Sequence, residues 1–199
     1  RSMTMSQKRK KKEKARKVAQ SGDYVVIIDP GHGGSAPGAA SKYGASEKYY
    51  TLPISRMIAE EIEKHEGFKA VLTRKGDYDV GLYRRIEIAR QYGGHCFVSV
   101  HLNSNRNRKL QGSEVYYLTL EGTSDKHSAS VAEKENMDFG AEVNRRELNG
   151  DVEEILYNML RNNAYNQSSI LAGHIGRKLE GTGSLGFRGV RQGNYLVLR

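Results

Sequence analysis

The sequence holds no tryptophan, one cysteine and three prolines in 199 residues. The single thiol, Cys96, excludes an internal disulfide and a cysteine-built zinc cluster, and its place in the apolar run CFVSVHL predicts a small buried core residue. No stretch approaches the roughly 18 apolar residues of a membrane span, which leaves no transmembrane segment. No apolar segment of about 7 to 15 residues follows the basic amino terminus, so the pattern of a secretory signal is missing from the chain as it stands. Internal repeats are missing too, and low complexity is confined to the first residues.

Acidic charge is scarce in one place only. Arg1 to Lys17 holds nine Lys/Arg and one Glu, a net of +8 out of the chain's +9, which leaves +1 for everything after it. The basic character therefore belongs to the run RKKKEKARK and not to the folded body. A charge block of this kind reads as a solvated, disordered or frayed helical arm, or as an electrostatic contact for nucleic acid or another anionic polymer. On the first reading residues 1–22 form a basic disordered tail, and residues 23–199 are long enough for one domain with a full core. No specific nucleic-acid partner is expected.

After residue 22, apolar periodicity organises the chain. Val25 to Ile28 is a β-branched run bounded by a turn and predicts a buried strand. From Glu47 to His65, Leu52, Ile54, Met57, Ile58 and Ile62 recur at helical spacing, with Gly67 as the stop. Phe68 to Thr73 predicts a second strand, Leu82 to Tyr92 a second amphipathic helix, and Cys96 to Leu102 a third strand. Glu114 to Leu120 reads as a further strand, Glu121 to about Asp151 as a polar stretch with helical propensity in its first part, and Val152 to Leu160 and Gln167 to Leu179 as two helices. Tyr195 to Arg199 looks like a strand beginning. Strand, helix, strand, helix, strand in that order implies right-handed crossovers and a largely parallel sheet covered by helices.

In such sheets ligands sit at the carboxyl ends of the strands. Asp29-Pro30-Gly31-His32 and His101-Leu102-Asn103 both fall there. Two histidines at strand ends invite a metal, since neutral imidazole is a common zinc ligand. Glu47, at the start of the first long helix and after the loop Gly33 to Gly44, is the best third donor. Two histidines and one glutamate leave a divalent zinc site net positive, with room for water. The alternatives stay open at this level: a strand-end histidine can be a satisfied polar residue, and a glutamate at a helix start can simply face the macrodipole.

The ordered set VVIIDPGHGG, GASEK, LTR, LYRRIEIA, FVSVHLNS, GSEVYYL and AEKEN resembles the catalytic domain of the zinc-dependent N-acetylmuramoyl-L-alanine amidases of the cell-wall amidase type 3 family, from about Tyr24 to Arg199. The resemblance implies an α/β three-layer sandwich, a mainly parallel twisted sheet with helices on both faces. It implies Zn2+ held by His32, Glu47 and His101, and hydrolysis of the amide between N-acetylmuramic acid and the L-alanine of the peptidoglycan stem. Asp29 and Asn103 become candidates for substrate or supporting contacts, each with a plain turn role as the alternative. Arg74 and Arg85 match family positions and read first as structural charge partners.

The resemblance further implies that the proton-shuttling glutamate lies in a segment beyond Arg199, so that the catalytic base is unknown within these residues and the domain lacks its last segment; Glu114 is not its substitute. Glu133 to Asp151 falls where some family members carry a helix that blocks the metal site, and otherwise reads as a polar linker and short helix. Peptidoglycan is the implied partner, with room for an activator protein, and the periplasm or the extracellular cell wall is the implied location. The competing readings are a catalytically silent murein-binding module of the same fold, a zinc carboxypeptidase, which would need an arginine free to take a terminal carboxylate, and nucleic-acid binding through the tail.

Overall fold

The computed structural model describes residues 4–41, 44–104, 111–119, 123–137, 151–182 and 186–198, the side chains of residue 8 and residues 151–161 excepted. The chain divides into two compact units, Arg1–Ser104 and Asn105–Arg199.

In the first unit, strands β1 (Tyr24–Pro30), β2 (Phe68–Leu72) and β3 (Cys96–Val100) form a sheet in the order β2-β1-β3. Both pairings are parallel, with Ile28 beside Leu72 on one side and beside Val98 on the other. The central strand is apolar on both faces because both are covered. Val25 and Ile27 pack with Val80, Ile88 and Tyr92 on and around helix α3 (Leu82–Gln91), and Val26 and Ile28 pack with Ala59 of helix α2 (Lys48–Glu63). Helix, sheet and helix make three layers, as the element order implies. The strands stop at Leu72 and Val100, a residue or two before the apolar runs end, which leaves Thr73, Arg74 and His101 on the connections beyond them.

Helix α2 buries a face that hydropathy alone does not pick out. Its buried residues are Thr51, Ser55 and Ala59, spaced by four, with Ile58 and Ile62 packed alongside. Met57, expected on the core face, is 60% exposed. Small residues at the centre of the contact let the helix axis approach the sheet closely, and the larger side chains fill the flanks.

The basic segment is a helix, α1 (Met5–Ala19), which is the helical arm among the readings that its charge allows. Thr4 accepts from the Gln7 amide at 3.3 Å and Gln7 returns a carbonyl oxygen to the Thr4 amide at 2.9 Å, a reciprocal cap. Ala15 is buried in the same cluster as Val25 and Ile27, with Val18 packed beside it. Two small apolar residues three apart supply the tertiary anchor that a run of lysines hides from any averaged measure of hydropathy.

In the second unit, β4 (Ser113–Leu118) and β5 (Phe187–Gly193) pair in parallel, with helices α4 (Lys126–Met137) and α5 (Asp151–Gly181). The two helices expected over 152–179 are one 31-residue helix. The intervening RNNAYN has no apolar periodicity, but it has no Gly or Pro either, so the backbone ladder continues through it. Strand β5 is FRGVRQG, two residues before the expected strand at Tyr195, which is instead followed by a 3-10 turn, Leu196–Leu198. Its glycines and arginines conceal it. On α5, a Cβ at Gly176 would lie 2.8 Å from Phe187 and 2.9 Å from Val190, so the missing side chain is what lets the strand lie against the helix. Glu114 of β4 faces Arg188 and Arg191 of β5 at 3.1 and 3.3 Å and accepts from Tyr116 at 2.6 Å, an ion-paired structural role. Of the stretch where a blocking helix was considered, 133–137 end α4 and 138–150 lie outside the described residues, as do Leu120 and Arg199.

Cys96 is half-buried on the α2 side of the sheet, and burial pushes its thiol pKa up. Enlarging Ala59 tests the close helix–sheet approach: Ala59→Leu should cost about 1–3 kcal/mol, read as a lower denaturant midpoint with an unchanged slope, whereas an unchanged midpoint would mean that the interface has slack.

Candidate metal centre

The turn after β1 is held from beneath by two arginines. Arg74 is fully buried and donates to the carbonyls of Pro30 (3.0 Å), Gly31 (2.8 Å), Lys48 (3.2 Å) and Gly76 (3.1 Å) and to the Thr51 hydroxyl (2.9 Å). Arg85 donates to the carbonyls of Val80 (2.8 Å), Pro30 (3.0 Å) and His32 (3.0 Å) and pairs with the Asp29 carboxylate at 2.5 Å. Asp29 also accepts from Thr73 at 2.5 Å and Ser99 at 2.9 Å. The carbonyls of Pro30, Gly31 and His32 and both oxygens of the Asp29 carboxylate are thus paired, as buried polar groups usually are. Burial, reinforced by the neighbouring Arg85, presses the Arg74 pKa down, and Asp29, Asp77 and Tyr78 oppose that only in part.

So clamped, His32 adopts φ 58, a left-handed conformation that a residue with a side chain enters at a cost of about 1–3 kcal/mol. The conformation turns its imidazole over the strand ends. There Nε2 lies 3.1 Å from Glu47 Oε2 and 3.1 Å from His101 Nδ1, and His101 Nδ1 lies 3.3 Å from Glu47 Oε1. One donor atom from each of the three lies within 4.8 Å of the others. The rings meet edge to face with centroids 4.7 Å apart.

Glu47 precedes α2 and makes no side-chain cap bond to the helix, so it is not a simple macrodipole partner. Its carboxylate accepts from the amides of Ala39 (2.8 Å) and Leu102 (2.6 Å). Burial alone would raise its pKa. The hydrogen bonds from His101, His32 and the two amides outweigh burial and hold the carboxyl far below the usual carboxylate range. The loop of glycines folds back over the strand ends as its length allows: a Cβ at Gly38 (φ +70) would sit 2.5 Å from the His32 ring and 2.8 Å from Glu47, and one at Gly31 would sit 2.5 Å from the His101 ring. These two positions need glycine because imidazole occupies the space of their side chains.

The donor set fits a divalent cation. Four-coordinate zinc with ligands at about 2.0–2.1 Å separates neighbouring donors by about 3.3–3.4 Å, and the three observed separations are 3.1, 3.1 and 3.3 Å. Two imidazole nitrogens and a carboxylate converge on one point, where a divalent cation would take the place of the ring protons that bridge them.

The sequence pattern of the N-acetylmuramoyl-L-alanine amidase family matches residues 26–199. The chain belongs to this family. It is 32% identical over 189 residues to the N-acetylmuramoyl-L-alanine amidase AmiA of Escherichia coli (strain K12), across 94% of this chain and 64% of that protein. Against AmiA of Salmonella typhimurium it is 31% identical over 176 residues, 88% of this chain and 61% of the relative, so the chain spans less than two thirds of either protein. Among solved structures, the amidase AmiC2 of Nostoc punctiforme superposes with a TM-score of 0.55 at 31% identity, covering 88% of this chain and 72% of that one. An amidase from Clostridium difficile 630 shares the fold at a TM-score of 0.60 and 24% identity, over 89% of this chain and 74% of that chain.

Of the residues that the amidase motifs single out, His32, Glu47 and His101 come together. Asp29 does not touch them: its carboxylate serves Arg85, Thr73 and Ser99, so it acts through the backbone of the turn. Asn103 is exposed in the segment after β3. Arg74 and Arg85 are structural partners, as expected, and both are buried with their donors committed to carbonyls, the Thr51 hydroxyl and Asp29, so neither is free to take a terminal carboxylate as a carboxypeptidase requires. Pattern reading missed Thr51, whose hydroxyl donates to the Gly31 carbonyl at 2.9 Å, and Lys48, whose ammonium bonds the Gly34 carbonyl at 2.7 Å and Asp77 at 2.9 Å. Thr51 lies one helical turn after Glu47, and that spacing was the available signal.

Breaking the clamp should be severe: Arg85→Met leaves Asp29 charged and buried, and a loss of about 3–5 kcal/mol in chemical denaturation is expected. Gly38→Ala should lower metal affinity more than global stability, measured by competition with a chromophoric chelator; equal losses in both would count against a direct role for this glycine at the centre.

Proposed function

We propose that the chain is a zinc-dependent amidase that cleaves the bond between N-acetylmuramic acid and the L-alanine of the peptidoglycan stem, with His32, Glu47 and His101 as the metal ligands. The observation that carries this reading is the convergence of those three donors at zinc-like separations in a member of the amidase family. Zinc held there supplies Lewis acidity towards water and towards an amide carbonyl.

The chain's own residues prepare the place for that chemistry. Arg74 and Arg85 fix the turn, so His32 need not reorganise when the site is filled. The amides of Ala39 and Leu102 hold Glu47 in its ionised form and in one orientation. His101 is the more open of the two histidines, with 20% of its side chain accessible against 5% for His32, which puts the approach of an extended glycopeptide on its side. A peptidoglycan substrate places the protein in the periplasm or the cell wall. No helix among the described residues is long and apolar enough to cross a membrane.

The test is chemical. Purified peptidoglycan treated with the zinc-loaded protein should gain free L-alanine amino groups; a chelator should abolish the release and added zinc restore it. His32→Ala should lose both the release and one equivalent of bound zinc by elemental analysis. Chelator-insensitive release, or full zinc content in His32→Ala, would sink the reading.

A further inference from the structure

Helix α1 carries a surface that the amidase chemistry does not use. Its 15 residues span about 22 Å. Ala15 and Val18 face the core, and Ala19 approaches the position of a Gly93 Cβ to 3.1 Å, so the helix is anchored along one side. On the exposed remainder, Lys10, Lys14 and Lys17 recur at i, i+4 and i+7, and Arg9, Lys12 and Arg16 at i, i+3 and i+7, which makes two parallel basic stripes. All six are exposed, and the acid between the stripes is Glu13, 3.5 Å from Lys17. Like charges packed this closely on a helix destabilise it. A capped, anchored helix that keeps them solvent-facing is poised for a polyanion.

We infer that α1 is an electrostatic docking surface for the carboxylate-bearing peptide stems of peptidoglycan, holding the enzyme on its insoluble substrate. The inference rests on the function proposed above. Charge complementarity selects an anionic partner, and the shape of the patch selects among anions. An amphipathic helix that lies in a bilayer presents an apolar face to the lipid, but Ala15 and Val18 are spent on the core and Met5 is the large apolar side chain that α1 exposes. Cations spread around the open arc, rather than over one plane, suit a flexible polymer that can follow the curved surface. A stem peptide offers carboxylates at its acidic residues and its terminus, repeated along the polymer. Many weak contacts of this sort retain an enzyme without fixing its register, because neighbouring stems can exchange on the same stripe.

The experiment compares the zinc-loaded protein with a variant carrying Arg9→Gln, Lys10→Gln, Arg16→Gln and Lys17→Gln, in co-sedimentation with intact sacculi on ice. Glutamine keeps helix propensity, and circular dichroism checks that the helix survives. Retention should fall about tenfold or more at about 0.1 M salt, and the difference should shrink to about twofold or less at about 1 M, where the screening length drops from about 10 Å to about 3 Å. Cleavage of a small soluble muropeptide should be the same in both proteins. Sacculi whose carboxyls have been converted to amides should lose the wild-type protein as well. Equal retention of wild type and variant at low salt overturns the inference, and so does undiminished binding to amidated sacculi. Salt-sensitive, α1-dependent binding to duplex DNA or to anionic vesicles without binding to sacculi overturns it in favour of that partner. Retention through α1 without release of L-alanine amines would instead remove the amidase reading and leave the docking surface standing.

Discussion

The structure depends on a buried ion pair that neither binds metal nor meets solvent. Asp29 and Arg85 sit at the point where β1 gives way to its turn, and through Arg85 the carbonyls of Pro30 and His32 are drawn inward while Arg74 takes those of Pro30 and Gly31. A strand end whose carbonyls point down has only one direction left for its next side chain. The unfavourable φ of His32 is therefore imposed by the satisfaction of buried oxygens, and the strain is offset by donors far away in sequence.

Around that constraint the first unit uses two kinds of smallness. On the helix side, Thr51, Ser55 and Ala59 let α2 settle close to the sheet, which carries Glu47 to the height of the strand ends. On the loop side, Gly31 and Gly38 leave the space that the imidazoles fill. The site is precise because the parts that surround it are small, and because the groups that hold it are charged and fully paired.

How much of this could be seen in the sequence differs from residue to residue. VVII announced the central strand, since a strand covered on both faces has no polar alternation to confuse it. His32 and His101 were visible because parallel topology puts strand ends together, and Glu47 because a helix start lies near them. The direction of Asp29 was hidden: its partner Arg85 is 56 residues away, and only the packing of α3 brings it in. The anchoring of helix α1 was hidden by its own lysines, which drown the two small residues, Ala15 and Val18, that hold it to the core. Strand β5 was hidden because FRGVRQG offers just two large apolar residues, Phe187 and Val190, and owes the rest of its place to backbone pairing with β4 and to Glu114. In each case the missed signal was a long-range contact and the legible one was a local period.

The two histidines meet Glu47 through different ring nitrogens, His32 through Nε2 and His101 through Nδ1. If each lends its lone pair to the centre, then in the neutral ring the proton must sit on the other nitrogen, so the fold selects opposite tautomers of the same side chain a few ångströms apart. The imidazole on the strained turn reaches in with its far nitrogen, and the one at the strand end, close against Gly31, reaches in with its near nitrogen. Which nitrogen each ring offers follows from where its residue stands, on the turn after β1 for His32 and just past the end of β3 for His101.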